Sequence, residues 1–265
     1  MKFREFGNKA HPTMVLLHSE ALSWWSLEPI IGGLKTDYSI VAPVIDGHGE
    51  DCSEPFADIR DSARKLIAYI DANCGGKVFA ISGLCLGAQI AVEVLSERPR
   101  IARYAVLESA LVYPAGKAAW FLFAAGCGLF FRPVRNRRLA KRRAKRLGVP
   151  EAMFGRYYED CSKISKESRI HVRKSIRSYT VPDGAKRIQA EVLIIAGTKE
   201  LRLLDRSVRG LMRILPHARV CVAPGTRHGG FTLTRPGEYL ALTKDLMEER
   251  LPHSPVSSHG FPGRR

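Results

Sequence analysis

Short apolar segments alternate with longer amphipathic segments along most of this chain. Six of the short segments consist almost entirely of apolar, often β-branched residues, at positions 13–17, 39–42, 78–81, 104–107, 192–196 and 219–222. This composition is typical of strands that are buried on both faces, because helices cover both sides of a parallel sheet. The pattern therefore predicts six strands of one mostly parallel sheet.

Four of the longer segments have apolar residues at helical spacing, at positions 58–73, 86–97, 207–215 and 236–251. In the first of them, Ile59, Ala63, Leu66 and Ile70 share one face of the predicted helix. Regular alternation of strands and helices is typical of an open α/β sheet. The predicted fold class is therefore α/β, with a mostly parallel, doubly wound sheet.

The alternation stops between residues 111 and 186, where no segment has the character of a strand. An apolar run at 118–131 is followed by residues 132–146, of which nine of 15 are Lys or Arg and none is acidic. We interpret 111–186 as a helical, strongly basic insertion between two parts of the core, residues 1–110 and 187–251. Residues 252–265 are rich in Pro, Ser and Gly, and we predict a disordered tail there.

The composition of the 265 residues supports a globular protein and an anionic partner. Hydrophobic residues make up 45% of the chain, and 42 Lys and Arg against 26 Asp and Glu give a formal net charge of +16. The apolar run of 14 residues is shorter than the roughly 20 that a membrane span needs. None of the six cysteines forms a C-x-x-C pair or has zinc-site spacing, which favours a reducing compartment and no metal. We expect a cytoplasmic protein whose basic insertion packs as a cap or contacts an anionic membrane surface.

The sequence Gly83-Leu84-Cys85-Leu86-Gly87 joins a predicted buried strand directly to a predicted helix. Glycines on both sides of Cys85 permit a tight turn, which would present its thiol at the carboxyl edge of the sheet. The helix N-terminus favours negative charge on a thiolate or an oxyanion. The motif resembles the G-x-S-x-G nucleophile elbow of the α/β-hydrolase family, with Cys85 in the position of the serine.

The resemblance implies the partners of a Cys85 nucleophile. His228 follows the last predicted strand, where this family has its catalytic base, and Glu200 follows the preceding one, where the family has the acid that orients the base. The order nucleophile, acid, histidine is that of the family. Two alternatives for the acid remain open. Asp205 lies slightly downstream of Glu200, and Glu108 ends the strand before the insertion, where some relatives place the acid.

The resemblance also implies an oxyanion hole built from two backbone amides, those of Leu86 and Glu20. Relatives have H-G-x-x after the first central strand, and His18 and Glu20 match that pattern, whereas Ser19 replaces the glycine. In this family, an insertion at the position of residues 111–186 forms a cap over the active site.

The predicted function is hydrolysis of a carboxylic ester, thioester or lactone by a Cys-His-acid triad, acting on a small-molecule acyl substrate without a cofactor. The alternative is a catalytically impaired member of the same fold that binds a small ligand or an anionic membrane surface, since Cys85, Ser19 and Glu20 depart from the usual residues. No recognised nucleic-acid module accompanies the basic residues, which disfavours nucleic acid as the partner. The sequence makes no prediction of oligomeric state.

Overall fold

A computed structural model of the protein describes residues 1–114 and 136–251. The described residues form one seven-stranded sheet with the strand order β1-β3-β2-β4-β5-β6-β7. The strands are β1 (Lys2–Phe6), β2 (Thr13–Leu17), β3 (Ser39–Val44), β4 (Val78–Leu84), β5 (Ala102–Glu108), β6 (Glu191–Gly197) and β7 (Arg219–Ala223). All neighbouring pairs are parallel except β1 with β3.

Nine α-helices flank the strands or follow them within the described residues. They are α1 (Glu28–Leu34), α2 (Ile59–Asn73), α3 (Leu86–Glu97), α4 (Arg137–Leu147), α5 (Phe154–Lys163), α6 (Lys166–Ser178), α7 (Leu201–Ile214), α8 (Phe231–Thr234) and α9 (Pro236–Met247). None of these helices is long and apolar enough to cross a membrane.

Apolar side chains pack on both faces of the sheet, which confirms the predicted doubly wound α/β architecture. Along β2, Val15 and Leu17 belong to the cluster beneath α2, α3 and α7, whereas Met14 and Leu16 belong to the cluster beneath α1 and α9. Successive side chains of a strand point to opposite faces, so both sets are buried only when helices cover both.

Two elements differ from the sequence prediction. Strand β1 consists of three charged and two aromatic residues, and it forms the antiparallel edge by pairing with β3. An edge strand is exposed on one side and needs no continuous apolar run, so its sequence resembled a polar terminus. Helix α1 contains Pro29, Gly32 and Gly33, which weaken helical propensity, and it is held by packing against α9.

Between β5 and β6, the described residues contain the three helices α4, α5 and α6 and no strand. A third apolar cluster joins these helices to the core, with Ala140, Ala144 and Tyr157 packed against Leu22 and Leu84 at the carboxyl edge of the sheet. The predicted cap of residues 111–186 and the other domain boundaries remain predictions. The apolar run at 118–131 and the predicted tail at 252–265 lie outside the described residues.

The strand order positions the functional edge of the sheet. Strand β2 lies between β3 and β4. The chain passes from β2 to β3 on one side and then crosses to β4 on the other side. In an open α/β sheet, such a switch point leaves a crevice at the carboxyl ends of the strands. Leu17 pairs with Gly83 across β2 and β4, which brings the loop after β2 beside Cys85.

We predict that Gly83→Ala lowers the free energy of unfolding by about 2 kcal/mol, because overpacking a closed site forces the backbone to shift. A Cβ atom at Gly83 would lie 2.3 Å from the Gly87 carbonyl oxygen. Urea denaturation measures the change. Gly32→Ala is the control, since nothing lies within 4 Å of that Cβ position and α1 gains helical propensity. Equal stability of the two variants would contradict the close approach at Gly83.

Candidate active site

Cys85 occupies a sharp turn between β4 and α3. Its φ of 52° and ψ of −105° lie outside the conformations that ordinary side chains prefer. Its N–H donates to the Glu108 carbonyl at 2.9 Å, which ties the turn to β5. A Cβ atom at Gly87 would lie 2.5 Å from the Leu17 carbonyl oxygen, so the helix approaches β2 this closely only with glycine there. The thiol is held at the carboxyl edge, beneath the α4–α6 helices, and Cys85 is 3% exposed.

Three predicted residues, far apart in the sequence, meet at this edge. The His228 Nε2 lies 3.0 Å from the Cys85 Sγ, and the His228 Nδ1 lies 2.6 Å from the Glu200 Oε2. A carboxylate can only accept, so Nδ1 carries the proton and Nε2 is left as an acceptor facing the thiol. The arrangement has the connectivity of a nucleophile, a base and an orienting acid.

Glu200 is the carboxylate that lies against His228, and its second oxygen is also held. The Glu200 Oε1 accepts from the Gly197 N–H at 2.7 Å and from the Ser109 hydroxyl at 2.8 Å. The alternative acids lie elsewhere. Asp205 pairs with Arg209 at 2.8 Å along α7, and Glu108 binds the backbone of α8.

Ser109 is a site residue that the sequence analysis missed. It is fully buried, has a φ of 55°, and links both partners of the nucleophile. Its hydroxyl donates to Glu200 and accepts from the Gly229 N–H at 2.8 Å, so it connects the acid to the loop that carries His228. A single serine after a strand carries no distinguishing pattern, and only its position beside Glu200 gives it this role.

Glu108 holds the other side of the histidine loop. Its carboxylate accepts from the Phe231 N–H at 2.8 Å and from the Thr232 N–H at 3.1 Å, and the Thr232 hydroxyl donates to it as well. Burial raises the pKa of Glu108 to about 7, although the hydrogen bonds from Thr232 and Phe231 oppose the shift. The carboxyl group therefore caps the first turn of α8 instead of contacting His228.

The loop after β2 brings the residues of the predicted oxyanion hole beside the thiol. His18 is buried, and its Nε2 accepts from the Ile45 N–H at 3.1 Å, so its Nδ1 donates to the Ser19 carbonyl at 2.8 Å. Burial lowers the pKa of His18 to about 3, which keeps it neutral. His18 therefore shapes the loop and exchanges no proton with substrate. Leu86, the other predicted donor, follows Cys85 directly and begins α3.

Glu20 is the charged residue of the loop that follows β2 beside the Cys85 turn. Its Oε2 accepts from the Ser19 hydroxyl at 2.8 Å. Burial raises the pKa of Cys85 to about 11, and the negative charge of Glu20 adds to that shift, whereas His228 opposes it. This loop therefore carries a negative charge that disfavours ionisation of the Cys85 thiol.

The thiol and the imidazole share one proton. Burial lowers the pKa of His228, whereas an ionised Cys85 and the Glu200 carboxylate raise it above its usual value. Cys85 exerts its attraction only as a thiolate, a form that burial and Glu20 both disfavour. We therefore assign the resting pair as a neutral thiol and a neutral imidazole, with the imidazole polarised by Glu200.

Residues 1–114 and 136–251 contain no group of three or more His, Cys, Asp or Glu side chains that could hold a metal ion. Their five cysteines, Cys52, Cys74, Cys85, Cys161 and Cys221, are all free thiols. Of these, Cys161 on α5 donates its S–H to the Ala21 carbonyl at 3.5 Å, a contact between the α4–α6 helices and the loop that carries Glu20.

One protein family matches most of the sequence. A model described as the alpha/beta hydrolase family matches residues 14–242. The chain belongs to this family. The matched range includes Cys85, Glu200 and His228.

Solved structures share this fold at low sequence identity. An alpha/beta hydrolase family protein from Desulfitobacterium hafniense is 20% identical with a TM-score of 0.72, over 93% of this chain and 100% of that chain. An esterase from a Rhodococcus species is 20% identical with a TM-score of 0.72, over 93% and 94%. The hydrolase of E-2-(acetamidomethylene)succinate is 19% identical with a TM-score of 0.76, over 93% and 94%. No curated protein matches the chain.

We predict that Glu20→Gln speeds alkylation of Cys85 by iodoacetamide about tenfold at pH 8. Removing the adjacent charge lowers the pKa of the thiol, and one unit of pKa is a tenfold change in the thiolate fraction. In the unmodified protein, the rate rises about tenfold per pH unit towards pH 11, since the thiol is still protonated below that value. Peptide mass spectrometry separates Cys85 from the more exposed cysteines.

The matched control is Glu97→Gln, which removes an exposed carboxylate at the end of α3 opposite to the thiol. Its alkylation rate at Cys85 should equal that of the unmodified protein. An unchanged rate in Glu20→Gln would mean that the Glu20 carboxylate does not act on the sulfur.

Proposed function

We propose that this alpha/beta hydrolase cleaves a carboxylic ester, thioester or lactone through Cys85, His228 and Glu200. The observation that carries the proposal is the unbroken contact from the sulfur through the imidazole to the carboxylate, at 3.0 Å and 2.6 Å. Hydrogen-bond distances of this size permit proton transfer from the nucleophile to the base. The Rhodococcus protein with this fold is an esterase and the succinate-derivative enzyme is a hydrolase, which supports a hydrolytic reaction.

The first half of the reaction forms an acyl-enzyme. The Cys85 sulfur bonds to the carbonyl carbon while its proton passes to the His228 Nε2, and the carbonyl oxygen becomes an oxyanion. The amides of Leu86 and Glu20 are its donors in the proposal. Collapse of this intermediate breaks the bond to the leaving group, which takes the proton from Nε2 and departs as an alcohol or a thiol.

The second half releases the acid. Water gives a proton to the His228 Nε2 as its oxygen bonds to the thioester carbon, and the second oxyanion occupies the same two amides. Collapse breaks the bond from carbon to sulfur, and the sulfur recovers the proton from Nε2. Glu200 keeps Nδ1–H in place throughout, which preserves the tautomer that both halves need.

The high pKa of the thiol determines how the nucleophile is activated. A thiol with a pKa of about 11 contains very little thiolate at neutral pH, so attack and proton transfer to His228 occur together. Cys85 thus acts as serine does in a general-base mechanism and not as a preformed thiolate–imidazolium pair. His228 must be neutral for the reaction, which favours activity on the alkaline side of its titration.

Turnover of p-nitrophenyl acetate tests the proposal. We predict that Cys85→Ala and His228→Asn each lower kcat by about 1000-fold, because the triad acts as a unit. Cys221→Ala, which removes a partly buried thiol from β7, is the control and should retain full activity. The unmodified protein should gain one acetyl group on Cys85 during turnover, detected by mass spectrometry. Unchanged hydrolysis by Cys85→Ala would reject the triad.

The catalytically impaired alternative makes the opposite prediction for a restored site. In that case Cys85→Ser combined with Ser19→Gly should create esterase activity that the unmodified protein lacks. If the proposed thiol mechanism is correct, the unmodified protein is already active and forms an acetylated Cys85. The two candidates are therefore separated by the activity of the unmodified chain.

A membrane-surface role is a second candidate, because α4 presents one continuous basic face. The exposed residues of this face are Arg137, Arg138, Lys141, Arg142, Lys145 and Arg146. Counted from Arg137, the other five follow after one, four, five, eight and nine residues, so the six share one side of the helix. The buried Ala140 and Ala144 lie on the other side. Such a face favours anionic lipid headgroups. The free thiols described above support a reducing location, and we propose the cytoplasmic side of a membrane.

We predict that Arg138→Gln, Arg142→Gln and Arg146→Gln together weaken binding to phosphatidylserine vesicles about 100-fold. Each basic residue near an anionic surface contributes about 1 kcal/mol. Vesicle flotation at low and high salt measures the binding. The control replaces Lys77, Lys186 and Arg187 with Gln, because these exposed residues precede β4 and β6 at the opposite edge of the sheet. Equal losses in both variants would show a dependence on net charge alone.

A further inference from the structure

Glu20 is an uncommon neighbour for a nucleophile that must generate an oxyanion. Its side chain is half-buried and accepts from the Ser19 hydroxyl at 2.8 Å, and its negative charge raises the pKa of the neighbouring Cys85 thiol. Within the described part of the chain, no Lys, Arg or His nitrogen lies within 4 Å of its carboxylate, although 20 other ion pairs are formed there. A partly desolvated carboxylate without a cation is costly, and a bound molecule can supply that cation.

The loop around Glu20 is held in place, so the carboxylate cannot be treated as a freely moving surface group. His18 is fixed by two backbone hydrogen bonds, and Ala21 has a φ of 59°. The Ala21 carbonyl accepts from Cys161 on α5, which ties the far side of Glu20 to the helices above the site. Burial raises the pKa of Tyr157 on α5, and the negative charge of Glu20 adds to this shift. Glu20 therefore lies between the thiol and those helices.

A fixed negative charge at this position opposes catalysis on a neutral substrate. It disfavours loss of the Cys85 proton, and it repels the oxyanion that forms when the sulfur attacks. Both penalties disappear when a positive charge of the substrate pairs with the carboxylate. The substrate would then activate its own nucleophile.

We propose that Glu20 is a specificity residue that pairs with a cationic group close to the scissile carbonyl, so that the substrates are esters or thioesters bearing an ammonium group. The inference rests on the proposed function, since it assigns a substrate class to the same Cys85 site. Pairing with the cation neutralises the carboxylate at the moment when the thiol loses its proton, and this coupling converts binding of the cation into faster acylation. The cation is located in either the acyl or the alcohol part of the substrate.

Two matched substrate pairs test the inference. The first is acetylcholine and its neutral isostere, in which carbon replaces the quaternary nitrogen. The second consists of p-nitrophenyl esters of γ-trimethylammoniobutyrate and of its tert-butyl isostere. We expect kcat/KM for the cationic ester of at least one pair to exceed that of its isostere about tenfold or more. In Glu20→Gln the cationic ester should lose about tenfold and the neutral ester should gain activity, which reverses the preference.

The outcomes distinguish this inference from the proposed function. If both members of each pair are hydrolysed equally and Glu20→Gln leaves their ratio unchanged, the inference is wrong and the esterase proposal stands. If no ester is hydrolysed and Cys85 is never acylated, the proposed function and the inference fail together. Glu97→Gln is again the control and should keep the ratio of the unmodified protein.

A readout on the unmodified protein does not depend on turnover or on a variant. Tetramethylammonium chloride should speed alkylation of Cys85 by iodoacetamide several-fold at pH 8, because a cation beside Glu20 stabilises the thiolate. Sodium chloride at equal concentration controls for ionic strength. If both salts have the same effect, Glu20 does not bind quaternary ammonium groups and the inference is overturned.

Discussion

The close backbone approach at the turn around Cys85 is the constraint on which the site depends. Helix α3 starts so near to β2 that Gly87 has no space for a side chain, and the backbone of α3 leaves none at Gly83. The residue between them is driven to a positive φ, and its thiol is thereby fixed at the carboxyl edge of the sheet. His228 and Glu200 can reach that thiol only because β6 and β7 end at the same edge.

The carboxyl groups around this turn have separate roles. Glu200 orients the imidazole and is held by Ser109 and the Gly197 amide. Glu108 caps α8 and keeps the histidine loop in place. Glu20 acts on the sulfur itself and opposes its ionisation. Similar carboxyl groups thus differ in function because each has different hydrogen-bond donors and a different neighbour.

The fold was largely predictable from periodicity. Buried central strands such as β4 and β5 have continuous apolar sequences, and α2 has a clear apolar face, so their elements are evident. Strand β1 was missed because an edge strand needs no such run, and α1 was missed because two glycines and a proline hide a helix that packing holds. The family resemblance indicated Glu200, but Asp205 and Glu108 remained open until the geometry showed which carboxylate contacts His228.

The sequence by itself determined the α/β class and the tight strand-to-helix junction at Cys85, because these depend on local periodicity and on glycines at fixed spacing. The resemblance of that junction to a known family, and not its periodicity, indicated Glu200 and His228. Only the tertiary structure decided that Ser109 joins Glu200 to the histidine loop and that the charge of Glu20 acts on the thiol. Those contacts join residues from different strands and loops. Their distances are set by the register of the sheet and by the packing of the helices on it, neither of which is encoded in any one segment.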